Sequence, residues 1–287
     1  MWYSAFNIFA QFDCRVWHPT EKEHHAWSST AIETFTVDET KRNFIADKVS
    51  LTLSEDMSSY TFKVSINPKT VIDVTFQRVG QGVKIGDSFS YYGEDHAHPW
   101  GYMQHLFWPR CKVSGTVIAN EHEFPATGLG MYVHAIQGMK PHHAACRWNF
   151  GNFQGPKMSA VMMEFTTPPS YGSQVVNIGA IVNEDGTLVA GTTENAAIHS
   201  TTEKDTETGW DKPTSLELSW MGVTKDDVQI TAATESGLKN LVERVDVLAE
   251  IPTVVKAFIA GVAGTRPYIY QVPSSSNDVK ETNLLAL

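Results

Sequence analysis

Ten of the eleven histidines lie before residue 144, and His96, His98, His105, His142 and His143 form the densest patch. Imidazoles at that density can ligate a transition metal or shuttle protons. On a strand, His96 and His98 would share one face, with Asp95 beside them as an oxygen donor. That spacing matches no zinc signature, and the bland reading is a set of hydrated or turn-bonded rings. Adjacent His142 and His143 diverge on any regular element. Cys146 is close to them only in sequence, which says nothing about attack geometry, so this thiol reads as a small buried hydrophobe. There is no GxSxG elbow. Gly80-x-Gly82 and Gly128-x-Gly130 each lack a third glycine and a following helix, so no nucleotide cofactor is expected. No metal site and no catalytic residue is assigned.

Two dense runs hold the candidate binding residues. Run 99–110 packs Trp100, Tyr102, Phe107 and Trp108 between and around two prolines, which is too bulky for an ordinary surface loop. These side chains are expected to fill or cover a cavity, either as the plug at a barrel end or facing a ligand, with Arg110 stacked on them. Run 137–150 combines a turn with His142, His143, Arg147 and Trp148, the composition of a polar cluster at a cavity mouth. The candidate ligand-binding residues are therefore Trp100, His105, Phe107, Trp108, Arg110, His142, His143, Arg147 and Trp148.

Elements with a period of two must position them. Val49, Leu51 and Leu53, then Tyr60, Phe62, Val64 and Ile66, then Ile72, Val74 and Phe76 each alternate with polar residues. The short joints 54–56 and 67–69 make them an antiparallel meander. Further strands are predicted over 113–119, 131–137, 147–153 and 159–166. Pro168-Pro169 removes two ladder donors and Gly172 permits a change of direction, which puts a domain boundary between residues 1–168 and 169–287. Beyond it, strands over 175–182 and 187–190 flank Asp185-Gly186, the step of a tight hairpin. Leu216, Leu218 and Trp220, then Val228 and Ile230, then Val245 and Val247 continue as strands. Run 253–263 alone has helical spacing, behind Pro252 and before Gly264. The fold class is all-β, in sandwiches or barrels, with one short helix in the second half.

Composition sets the outer limits. A chain of 287 residues with 42% hydrophobic and 19% charged side chains can bury one large core or two modest ones. Its formal charge of −10 offers no footprint for a phosphate backbone, so nucleic acid is not expected as a partner. Residues 1–168 hold 14 basic and 16 acidic side chains against 8 and 16 in the remainder, so the acidity lies in the second half. Three widely spaced cysteines suit a reducing, intracellular compartment. The longest apolar stretch falls short of a membrane-spanning helix, and the first ten residues lack a basic secretory n-region.

Several long motifs, in order, resemble the fungal survival factor 1 proteins. They are Pro99-Trp100-Gly101, His105 with Phe107-Trp108-Pro109-Arg110, the run from Gln137 through the paired His142 and His143, Arg147-Trp148-Asn149-Phe150, the run 163–172, and 263–265 with 267–271. The likeness covers about residues 11–271. It implies two tandem lipocalin-like antiparallel β-barrels, binding of ceramide for non-vesicular sphingolipid transfer from endoplasmic reticulum to Golgi, and a role in surviving oxidative stress. It also implies a cytoplasmic protein with transient contact to those membranes, and a nuclear pool. Against the family pattern this chain begins at a middle strand and stops before the closing strands, so both barrels are expected to be incomplete. Tandem lipocalin-like folds also resemble hydratases and cyclases of apolar substrates, in which His105, His142 or Glu164 would serve as acid or base.

Overall fold

The computed structural model describes residues 2–3, 8–223, 227–238, 241–246, 268–272 and 279–286. Their regular structure is antiparallel strand, apart from one four-residue helix, Pro141–Ala144, and two 3-10 turns, Lys22–His24 and Pro169–Tyr171. No helix among them is long and apolar enough to cross a membrane. The helix expected over 253–263 lies outside the described residues, as does Val247.

The chain separates into two units, one of Met1–Val79 with Cys111–Gly130 and one of Gly80–Arg110 with Met131–Leu287. In the first, the meander forms as its alternation requires: Val49–Leu53 pairs with Ser59–Asn67, which pairs with Thr70–Arg78. Pairs such as Phe62↔Val74 and Val64↔Ile72 put apolar side chains on one face. Lys63 and Asp73 meet at 2.9 Å, and the Thr61 and Thr75 hydroxyls at 3.2 Å, on the other. The apolar face joins Phe12, Val49, Phe44 and Val113 in the core. Strand Gly101–Ala119 begins in the second unit and ends here, where its residues 111–119 pair with Thr70–Arg78. Strands Ile8–Val16 and Ala26–Ile32, which the periodicity did not suggest, pair in this unit as well.

The second unit is built on a sheet of Arg147–Gln154, Met158–Thr166, Val175–Asn183 and Leu188–Thr192. Its two inner strands, Met158–Thr166 and Val175–Asn183, are buried on both faces. One face packs Val161, Met163, Ile178, Ala180 and Val182 against Val83 and Phe107. The other packs Ala160, Met162 and Ile181 against Ala197, Leu218, Trp220 and Ala232. The last four residues come from Glu194–Lys204, Asp211–Val223 and Gln229–Gly237, which form a sheet with Val279–Ala286. A strand buried on both sides has no reason to alternate, hence the runs Ala160-Val161-Met162-Met163 and Ile178-Gly179-Ala180-Ile181-Val182. The Asp185-Gly186 step closes the expected hairpin, with Gly186 at φ +80. Loop 167–174 joins two paired strands of this unit. Pro169–Tyr171 makes one 3-10 turn there and Gly172, at φ +86, reverses the chain.

Run 101–110 is strand, in which Met103, His105 and Phe107 alternate inward against outward Tyr102 and Leu106. Two expectations are corrected. Among the described residues Arg110 stacks on no ring. It is a buried cation that donates to the Gly155 and Pro156 carbonyls at 2.8 and 2.9 Å and to Ser159 Oγ at 2.8 Å. Cys146 is exposed just outside the Arg147–Gln154 strand, its thiol 3.5 Å from the Thr167 carbonyl.

Candidate functional site

All nine candidate residues belong to the second unit, but they do not converge on one point. Five rings stack in sequence from surface to core. Phe150 and Trp148 are 6.1 Å apart, Trp148 and Phe165 6.3 Å, Phe165 and His105 6.0 Å, His105 and Phe107 5.9 Å, with interplanar angles of 8–27°. Exposure falls along the row from 41% at Phe150 and Trp148 to 1% at Phe107. Phe165 is the hinge of the row and was not among the candidates. Its position between Glu164 and Thr166 in an inward-facing register is the signal that could have found it.

A second group forms around Tyr171, whose ring lies 4.7 Å from Trp100 and 4.5 Å from His143. Trp100 also meets Tyr92 edge-on at 5.4 Å. Tyr92 is buried with Met103 and Ala144, and Phe165 packs against that cluster too. Burial, with a smaller contribution from the Lys140 charge, lowers the pKa of His143. Trp108 turns the other way from Phe107 and meets Tyr132 at 5.4 Å. Arg147 donates to the Ala197 carbonyl at 3.2 Å. The side chain of His142 lies outside the described residues.

His105 is the electrostatically unusual member. Only 5% of its surface is exposed, and burial lowers its pKa to about 4, so the ring is neutral at pH 7. Its backbone N–H donates to the Ser88 carbonyl at 3.1 Å, while its Nδ1 has no hydrogen-bond partner. Neutral imidazole can both donate and accept.

The sequence pattern did not reveal the network around Glu164. Asn149, Glu164 and Asn177 stand opposite one another on adjacent strands. The Glu164 carboxylate accepts from Asn149 Nδ2 at 3.0 Å, Asn177 Nδ2 at 3.2 Å and the Ala197 N–H at 3.0 Å. His199 Nε2 lies 2.8 Å from Asn149 Oδ1. Its pKa is lowered by burial first and by the Arg147 charge second, against the opposing pull of Glu164. The signal was a polar residue interrupting each of three apolar strands, where a buried carboxylate must find donors.

Metal-ligating atoms gather in the first unit, where His18, Glu21 and His24 offer ligands within 4.8 Å of one another. His18 Nδ1 already accepts from the Thr20 and Glu21 N–H groups at 3.4 and 3.0 Å. His24 Nδ1 meets Glu21 Oε2 at 2.7 Å. His98 is held by Asp95 at 2.8 Å on an exposed turn, in the second unit.

Comparison with known proteins bears on all of this. The profile of the Svf1 family matches residues 3–284. The ceramide-binding protein svf1 of Aspergillus fumigatus is 48% identical over 273 residues, 95% of this chain and 69% of that protein. The ceramide-binding protein SVF1 of Candida albicans is 45% identical over 91% of this chain and 68% of its own length. The Schizosaccharomyces pombe protein of the same name is 40% identical over 93% and 70%. Among solved structures, CghA with Sch210972 superposes with a TM-score of 0.56 at 13% identity, over 78% of this chain and 66% of that one. At that identity the likeness is one of fold, a lipocalin-like antiparallel architecture.

Proposed function

The chain belongs to the Svf1 family, and from that premise we propose that it binds ceramide and passes it between membranes. The observation that carries this reading is the ceramide-binding name shared by relatives 40–48% identical over more than nine-tenths of the chain. The exposed outer end of the stacked row, Trp148 and Phe150, supports it, because it offers an apolar surface. Each methylene moved from water onto such a surface contributes about 0.8 kcal/mol, so a two-chain lipid needs few polar anchors. Non-vesicular transfer from endoplasmic reticulum to Golgi, with transient membrane contact and a cytoplasmic and nuclear distribution, is the cellular role this suits. Survival under oxidative stress would follow from it. Of the three acid–base candidates of the enzyme reading, Glu164 is disfavoured because both its oxygens accept from N–H donors.

Titration of the delipidated chain with fluorescent ceramide is expected to saturate. Binding no stronger than that of an unrelated lipocalin would falsify the reading.

A further inference from the structure

We propose that a small chamber beside His105 is a subsite for one uncharged hydroxyl group borne on an apolar body. It rests on the ceramide reading for its ligand, which carries two such hydroxyls on its sphingoid base.

The chamber is made by a departure of the main chain from the sheet. Val83 and Phe107 exchange both backbone hydrogen bonds, at 2.8 and 2.9 Å, and His105 donates to the Ser88 carbonyl. Between these two anchors the chain bulges into a turn closed by Ser88 N–H to the Ile85 carbonyl at 2.9 Å. Gly86 and Ser88 take φ of +55 and +82 there, a conformation unusual for serine. The bulge leaves a cavity of about 20 Å³. That holds one water-sized group and no more.

Its lining defines the chemistry of the guest. His105, Ile85, Phe107 and Ile178 supply a mostly apolar wall, and Ser88 and Thr193 add hydroxyls. No Lys, Arg, Asp or Glu lines it, so neither an anion nor a cation is matched. The unpartnered His105 Nδ1 is a buried polar atom beside the cavity. Leaving such an atom unsatisfied is unfavourable, and a hydroxyl, which donates and accepts at once, satisfies it in either tautomer. Ser88 Oγ accepts from Gln104 Nε2 at 2.9 Å, so its own proton is left for a further acceptor. A guest hydroxyl seated here meets both.

The test compares ceramide with two analogues of equal chain length, one lacking the C1 hydroxyl and one lacking the C3 hydroxyl, on the wild-type chain and on His105→Phe. One analogue is expected to bind the wild type roughly fivefold more weakly than ceramide. His105→Phe should weaken ceramide by about the same factor and erase the discrimination, and His105→Asn, which keeps a polar atom near Nδ1, should restore part of it. If His105→Phe does not fold, Ser88→Ala is the substitute and should narrow the same discrimination. Wild-type chain that binds all three lipids equally overturns the subsite while leaving ceramide binding intact, with water as the chamber's occupant. A folded variant that still discriminates overturns it too. Absence of saturable ceramide binding overturns both readings together.

Discussion

At the scale of single residues, burial decides what each group can do. His105 shows this most clearly. Its folded pKa of about 4 lies below the ordinary 6.5, so between those values the unfolded chain takes up a proton that the folded chain refuses. The contribution of this group is therefore fully present above pH 6.5 and is lost as pH falls towards 4, by about 3 kcal/mol across the window. His143 and His199 are shifted in the same direction, so the difference between two proteins is the informative measurement. Urea unfolding at pH 7 and pH 4.5 should show a loss of stability in the wild type that exceeds that of His105→Phe by about 2–3 kcal/mol. Equal losses would mean that the imidazole is protonated in the fold. The candidates chosen on residue type sort along the same line: Phe107 is core, Arg110 is a clamp on the 155–159 turn, and Trp148 lies, with Phe150, at the exposed end of the ring stack. Composition alone placed them in one class. What separates them is which face of a strand each occupies, and a single-residue property cannot report that.

At the scale of elements, two kinds of strand are legible: those with one wet face, through alternation, and the buried runs 159–166 and 175–182, through continuous apolar residues between turn signals. The three meander strands match their alternation to within two residues at either end, since one face must be apolar and the other polar. Ile8–Val16 alternates as well, but its inward Ala10 and Cys14 are too small to stand out beside Phe12. Strand Gly101–Ala119 carries a position where sequence choice is narrow. Gly115 has φ +133, and a Cβ there would overlap the Asp73 carbonyl oxygen of the neighbouring strand. Gly115→Ala is expected to cost more than about 2 kcal/mol, through both the backbone angle and the overlap. A chemical-denaturation midpoint unchanged by that substitution would show that the strand can shift its register to make room.

At the scale of the whole chain, each unit has a core of its own, and the ligand reading concerns the second. A lipid that binds only the folded chain should stabilise it by about 2.7 kcal/mol at a hundredfold excess over Kd, which is several degrees in Tm. Thermal scans of delipidated and ceramide-loaded protein check this, and identical melting curves would count against binding. The amino-acid sequence by itself determined that the chain is antiparallel β, where the meander runs, and which family it joins, because alternation and long motifs are local and survive without contacts. Tertiary structure alone decided that two strands of the second unit's sheet are buried on both faces, that Phe165 links Trp148 to His105, that Glu164 is held by donors from three other strands, and that a bulge beside His105 leaves a small cavity. The reason is that these depend on pairing between residues far apart in the chain, and the pairing of strands is fixed by packing and not by the order of side chains within any one of them.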